Sequence, residues 1–196
     1  MKFNWFSFFA AFLLLVSCQN NDEKRLAEQQ KDAEVKELIF TKINNGWRFS
    51  VPTLNPQTQG LTRNWSELRA FTTELNQKPK SSIGAFQKKA RALSKKGAAL
   101  NEHIPNPFNK PEIKSRISAL VTKINSINLF INLDAIPEQK VITCIADANI
   151  ELSSLFRQME EIVRKSQTPK EQGETDMIRM LDTSRAIPNS KILPKH

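Results

Sequence analysis

Seven cations, Lys78, Lys80, Lys88, Lys89, Arg91, Lys95 and Lys96, fall within nineteen consecutive residues that contain no acid. Cations at that density attract polyanions: lipid head groups, acidic polysaccharide or an acidic protein surface. At helical spacing Phe86, Ala90 and Leu93 form an apolar face, and Lys88, Arg91 and Lys95 fall opposite it, toward solvent. The candidate polyanion contacts are therefore Lys88, Lys89, Arg91, Lys95 and Lys96, against the plainer reading of a solvated helix face. Nucleic acid would answer the same charge, but no aromatic side chains interleave with the lysines, so it is not an expected partner.

Other reactive side chains are few. Two His and two Cys cannot supply a four-ligand metal site unless carboxylates do most of the work, and five Gly are too few for a phosphate-cradling loop fold. No cofactor or metal is expected. Cys144 flanks the helical series that starts at Val141 and has no histidine near it in sequence, so it reads as a small buried hydrophobe, with an intermolecular disulfide as the alternative. His103 precedes the proline-rich stretch Ile104–Phe108, which either presents an apolar tip or, as favoured here, makes a stiff corner that Phe108 plugs. The paired acids Glu160-Glu161 and Asp22-Glu23 are sequence neighbours and so point to different sides of a helix. No Glu-x-x-His pair occurs. The chain is expected not to be an enzyme and to have no catalytic residues.

These side chains need a scaffold, and 196 residues at 39% hydrophobic and 25% charged suit one modest globular domain with segments outside it. Apolar residues recur every three or four positions in four series. They are Leu61, Trp65, Leu68, Thr72 and Leu75, with Phe71 beside them; Ile83, Phe86, Ala90, Leu93, Gly97, Leu100 and Ile104; Ile113 to Ile131; and Val141 to Ile162. Prolines at 79, 105, 107, 111, 137 and 169 punctuate them. Asn109 offers a cap ahead of Pro111 and Glu112, and the short Leu133–Pro137 connection forces its two helices to lie antiparallel. The expectation is an all-α fold: an antiparallel four-helix bundle over 61–165, with helices of matched length, preceded by a charged helical tether. Ala90 and Gly97 would allow close helix approach. Residues 22–44 carry six acids and five bases and read as that tether. In 45–60, Trp47, Phe49 and Val51 alternate with Arg48 and Ser50, a strand-like pattern expected to drape over the bundle. Residues 166–196 read as a polar tail with a short helix near Asp176–Leu181.

Residues 1–17 combine one cation, Lys2, with thirteen apolar residues and no acid. The run is too short for a comfortable membrane span and fits a secretory signal; an ordinary signal peptide or an uncut anchor are the other readings. Leu15-Val16-Ser17-Cys18 resembles the lipobox of bacterial lipoprotein precursors. That resemblance implies cleavage after Ser17, lipidation of Cys18, and attachment of residues 18–60 as a lipidated tether and docking segment to a cell-envelope membrane. Gln19 is not the aspartate that retains enterobacterial lipoproteins at the inner membrane, and Asp22-Glu23 are similar to surface-export signals of Bacteroidota lipoproteins. The chain thus looks like a small helical lipoprotein of Bacteroidota type. The implied location is the outer membrane, facing the periplasm or the surface, and the implied role is as a non-catalytic binding or adaptor protein. With Cys18 lipidated, Cys144 is left without an intramolecular disulfide partner.

Overall fold

The computed structural model describes residues 19–168; the signal-like segment, Cys18 and the stretch that holds Asp176–Leu181 lie outside the described residues. The described residues form six α-helices and no strand: α1 Gln19–Gly46, α2 Pro56–Thr62, α3 Ser66–Asn76, α4 Ile83–Ala98, α5 Pro111–Ile131 and α6 Glu138–Gln167. Single 3-10 turns at Ala99–Asn101 and Asn106–Phe108 shape the corner between α4 and α5. Among the described residues all regular secondary structure is helical, as the spacing of three and four predicts.

Apolar periodicity locates the core closely. Ile113, Ile117, Leu120, Ile124, Ile127 and Ile131 of α5 are all buried, as are Val141, Ile145, Ala148, Leu152, Leu155, Met159 and Ile162 of α6. Burying each large aliphatic side chain contributes about 1.5–3 kcal/mol, so one continuous stripe holds each helix against its neighbours. Cross-links between helices fix their directions. Glu67 of α3 meets His103 beyond the end of α4, while Glu74 meets Lys89. Gln87 Nε2 donates to the Ile131 carbonyl at 3.0 Å, and Ser94 Oγ to Asn125 Oδ1 at 2.7 Å. Lys123 Nζ lies 2.9 Å from Asp147 Oδ2, and Lys140 Nζ stands 5.7 Å from the centre of the Phe130 ring. Successive helices α3 to α6 are therefore antiparallel.

Four local features depart from expectation. The 61–75 series is two helices, because Asn55 caps α2 by accepting from the Thr58 N–H at 2.8 Å with Pro56 at the first position. That start turns Thr58 and Thr62 inward and leaves Leu61 43% exposed; the chain then breaks over Arg63–Trp65 before α3. Asn109 does not cap α5: Lys110 holds the cap position with extended backbone and no side-chain bond, leaving Pro111 and Glu112 to set the first turn. Helix lengths are unequal, at 11, 16, 21 and 30 residues for α3 to α6. Ile83 and Ile104 are only half-buried: Ile83 is the first residue of α4, and Ile104 falls out of the helical series because α4 gives way to a 3-10 turn after Ala98.

The surplus length of α6 is covered by the segment that leaves α1. Lys42 pairs with Glu138, and Gly46 faces Ile142. Farther along, Arg48 and Ser50 bond Asn149, Asn55 N–H donates to Glu160 Oε1 at 2.8 Å, and Gln57 meets Gln167. Both partners climb in number together, so the segment runs parallel to α6. Nine extended steps from Gly46 to Asn55 cover about 30 Å, and eighteen helical steps from Ile142 to Glu160 about 27 Å. That match explains why the alternating Trp47–Val51 pattern is extended without being a strand. Trp47 is buried, edge-on to Phe49 and Phe86 at 5.6 and 5.0 Å between ring centres.

Candidate anion-binding face

Residues 78–131 contain eleven bases and two acids, so their net +9 equals that of the whole chain; the remaining 18 bases and 18 acids cancel. The concentration of charge on α4, α5 and their approaches is sharper than the 78–96 run alone suggests. Lys110, Lys114 and Arg116, which the sequence reading did not single out, extend it.

The structure divides the five candidate cations. Lys88, Arg91 and Lys95 are exposed and have no carboxylate partner among the described residues. They project from the solvent side of α4 at positions i, i+3 and i+7, a ridge about 10 Å long at 1.5 Å per residue. Arg91 Nε donates to the Gln87 carbonyl, which holds the side chain along the helix. Lys89 and Lys96 lie on the side facing α3, where both pair with Glu74. Lys89 is only 12% exposed in its side chain and Glu74 15%. Burial alone would raise the Glu74 pKa, but the bonds from Lys89 and Lys96 outweigh it and hold the carboxyl below its usual range. Lys89 also reaches the Glu74 carbonyl at 3.3 Å. These two lysines therefore lock α4 to α3, and Lys78 bonds the Asn44 carbonyl at the end of α1.

Uncharged polar groups flank the ridge on α5. Ser94 pairs with Asn125, and Ser118, Thr122 and Ser126 each return their hydroxyl to the carbonyl four residues earlier. Glu112, in the first turn, is the single acid of α5. A polyanion on α4 would therefore meet cations and neutral hydroxyls and amides.

His103 sits in the left-handed region, at φ 48°, and its Nδ1 lies 2.8 Å from Glu67 Oε1. With Glu102 the two place three potential ligand atoms within 4.8 Å of one another. The His103 bond holds the Glu67 carboxyl below its usual range, and the same bond raises the His103 pKa above 6.5. The arrangement is complete as an ion pair tying the corner to the first turn of α3, and nothing in it requires a cation. Sequence alone could not pair residues 36 positions apart. Phe108 is fully buried at the same corner, as expected.

Cys144 is half-buried against the core, and its thiol is pushed up first by burial and then by Asp147. A thiol held protonated is a poor nucleophile. Glu160 is engaged with Asn55, and Glu161 with Lys165 at 2.7 Å. Cys18 lies outside the described residues, and no described helix is long and apolar enough to cross a membrane. In comparisons with family models, curated proteins and solved structures, the chain matches none.

Proposed function

We propose that this protein is a lipid-anchored binding or adaptor protein of a bacterial cell envelope, without catalytic activity. The observation that carries the reading is the run Leu15-Val16-Ser17-Cys18 behind a short basic and apolar leader. Helix α1 supports it. It begins one residue after Cys18, residues 24–38 are exposed throughout, and its first docked side chains are Ile39, Phe40 and Ile43. About twenty helical residues between Cys18 and that contact are some 30 Å long, enough to hold the folded body clear of the head groups as a spacer. In this reading α3 to α6, antiparallel in succession, form a four-helix bundle, and α1 is its tether.

Metabolic labelling with an alkyne palmitate tests the anchor. Label is expected on the wild-type chain and absent from Cys18→Ala, which should leave the membrane fraction; retention of the variant in membranes would overturn the reading. Protease shaving of a C-terminal tag on intact cells then decides orientation, a shaved tag indicating the surface and a protected one the periplasm.

A second reading is favoured by the confinement of the net charge to residues 78–131: the partner is a polyanion bound along α4. Lys88, Arg91 and Lys95 are its contacts, with Lys89 and Lys96 contributing through the structure of the face. Replacing Lys88, Arg91 and Lys95 with Glu should abolish retention on heparin and its dependence on salt. Unchanged retention would remove this reading and leave the adaptor reading standing.

A further inference from the structure

Beside α2 lies a cleft of about 490 Å³ whose accessible apolar surface comes from Val51, Pro52, Leu54 and Pro56, over a floor of the buried Leu68 and Phe156. Two cations, Arg63 and Arg69, line it; no acid does, and neither guanidinium has a carboxylate partner among the described residues. A larger cleft of 690 Å³ near Ile39 and Ile83 mixes Lys36 with Glu37 and Asp134, and a third mixes Arg157 and Arg164 with Glu160 and Glu161. Those carry no sign preference. The cleft at α2 does.

Gly60 forms part of its wall. Glycine weakens a helix, so its place inside the seven residues of α2 needs a reason. A side-chain carbon added there would meet nothing within 4 Å, and Gly60 does not hold a left-handed backbone, so neither packing nor conformation requires it. Its structural consequence is an open wall.

We propose that this cleft binds a single-chain fatty carboxylate, with the acyl chain against Val51, Leu54 and Pro56, above the floor made by Leu68 and Phe156, and the carboxylate facing Arg63 and Arg69. The volume lies within the range of small-molecule sites, the apolar surface suits a hydrocarbon chain, and the two unpaired guanidiniums supply charge-assisted donors for one carboxylate. The site is separate from the ridge on α4.

The test uses membranes holding the full chain and a dodecanoate bearing a diazirine, cross-linked by light and mapped by peptide mass spectrometry. Adducts are expected within residues 49–72 and around Phe156, competed by excess decanoate. Gly60→Leu, which adds a bulky side chain at the wall, where a first carbon meets nothing within 4 Å, should cut them at least about tenfold, while Gly60→Ala retains them. Loss of charge-assisted bonds in Arg63→Gln with Arg69→Gln should lower labelling by about tenfold, with the paired Lys substitutions restoring part of it. Circular dichroism and thermal melting confirm that each variant is folded. Adducts spread evenly along the chain, labelling indifferent to Gly60→Leu, or equal labelling by a neutral dodecanol probe would overturn the proposal.

Discussion

The side-chain amide of Asn149 brackets the backbone around Arg48: its Nδ2 donates to the Arg48 carbonyl at 2.8 Å, and its Oδ1 accepts the N–H of Ser50 at 2.9 Å. One residue on a helix thus does for the extended segment what a neighbouring strand would do, satisfying a donor and an acceptor two residues apart. It also sets the register in which Trp47 enters the core beside Phe86. Asn149→Ala removes both bonds and should cost about 1–3 kcal/mol. Asn149→Asp keeps the acceptor for Ser50 but loses the donor for Arg48 and should fall between. Amide hydrogen exchange reads this directly: Ser50 should lose protection in the Ala variant and retain more of it in the Asp variant.

Glu74 has two opposed effects that one substitution separates. It holds Lys89 and Lys96 together between α3 and α4 in a largely buried setting, so Glu74→Gln should destabilise the fold by about 2 kcal/mol in thermal or urea unfolding. It also neutralises two of the cations of the 78–96 run, so the same variant should bind heparin more tightly if α4 is the contact face. The pH dependence has a definite sign. A carboxyl whose folded pKa lies below its ordinary 4.5 contributes stability that is present above that value and lost as pH falls through the lowered folded value. Wild type should therefore lose stability across that acid range more steeply than Glu74→Gln.

Much of the fold was legible because helical periodicity is local. The α5 and α6 series needed no knowledge of what they pack against, and every residue of both series is buried. What was not legible depended on partners distant in sequence or on a cap upstream. Lys89 and Lys96 read as members of one basic run until Glu74, on another helix, claimed them. The break at Arg63–Trp65 was hidden because Leu61 kept the spacing of the next helix, while Asn55 and Pro56 had already set α2 in a different register. The extended covering of α6 was half visible: alternation marked Trp47–Val51 as extended, but only the 30-residue length of α6 explains what it covers.

Two glycines should respond oppositely to the same change. A methyl at Gly46 would lie 2.5 Å from Cγ1 of Ile142, so Gly46→Ala must displace the Ile142 side chain or the end of α1, with an expected loss of about 1–3 kcal/mol. At Gly97 the added carbon would stand 3.6 Å from both Phe71 and Val121, an ordinary contact. The close approach expected there therefore leaves room for a methyl. Gly97→Ala should be neutral or should stabilise by up to about 1 kcal/mol through helix propensity. Urea midpoints of the two variants check both signs.

The Glu67–His103 pair should make the α4–α5 corner sensitive to pH near neutrality. The bond to Glu67 raises the His103 pKa above its ordinary 6.5, so the protonated imidazole is favoured in the folded chain. By linkage its contribution is fully present below 6.5 and lost as pH rises through the raised folded value. The Glu67 carboxyl, held below 4.5 mainly by the His103 bond, closes the window on the acid side. Both groups act at the protein surface, so the titration itself is the readout. In NMR the His103 ring should titrate above 6.5 in wild type and return toward 6.5 in Glu67→Gln. Deprotonation should also release the corner from α3, seen as faster exchange at the Glu102 amide, whose N–H donates to the Ala99 carbonyl at 2.9 Å. If His103 titrates at the same pH with and without the Glu67 charge, the pair does not hold the corner. The left-handed backbone at His103, which disfavours residues other than glycine, would then have no side-chain bond to offset it.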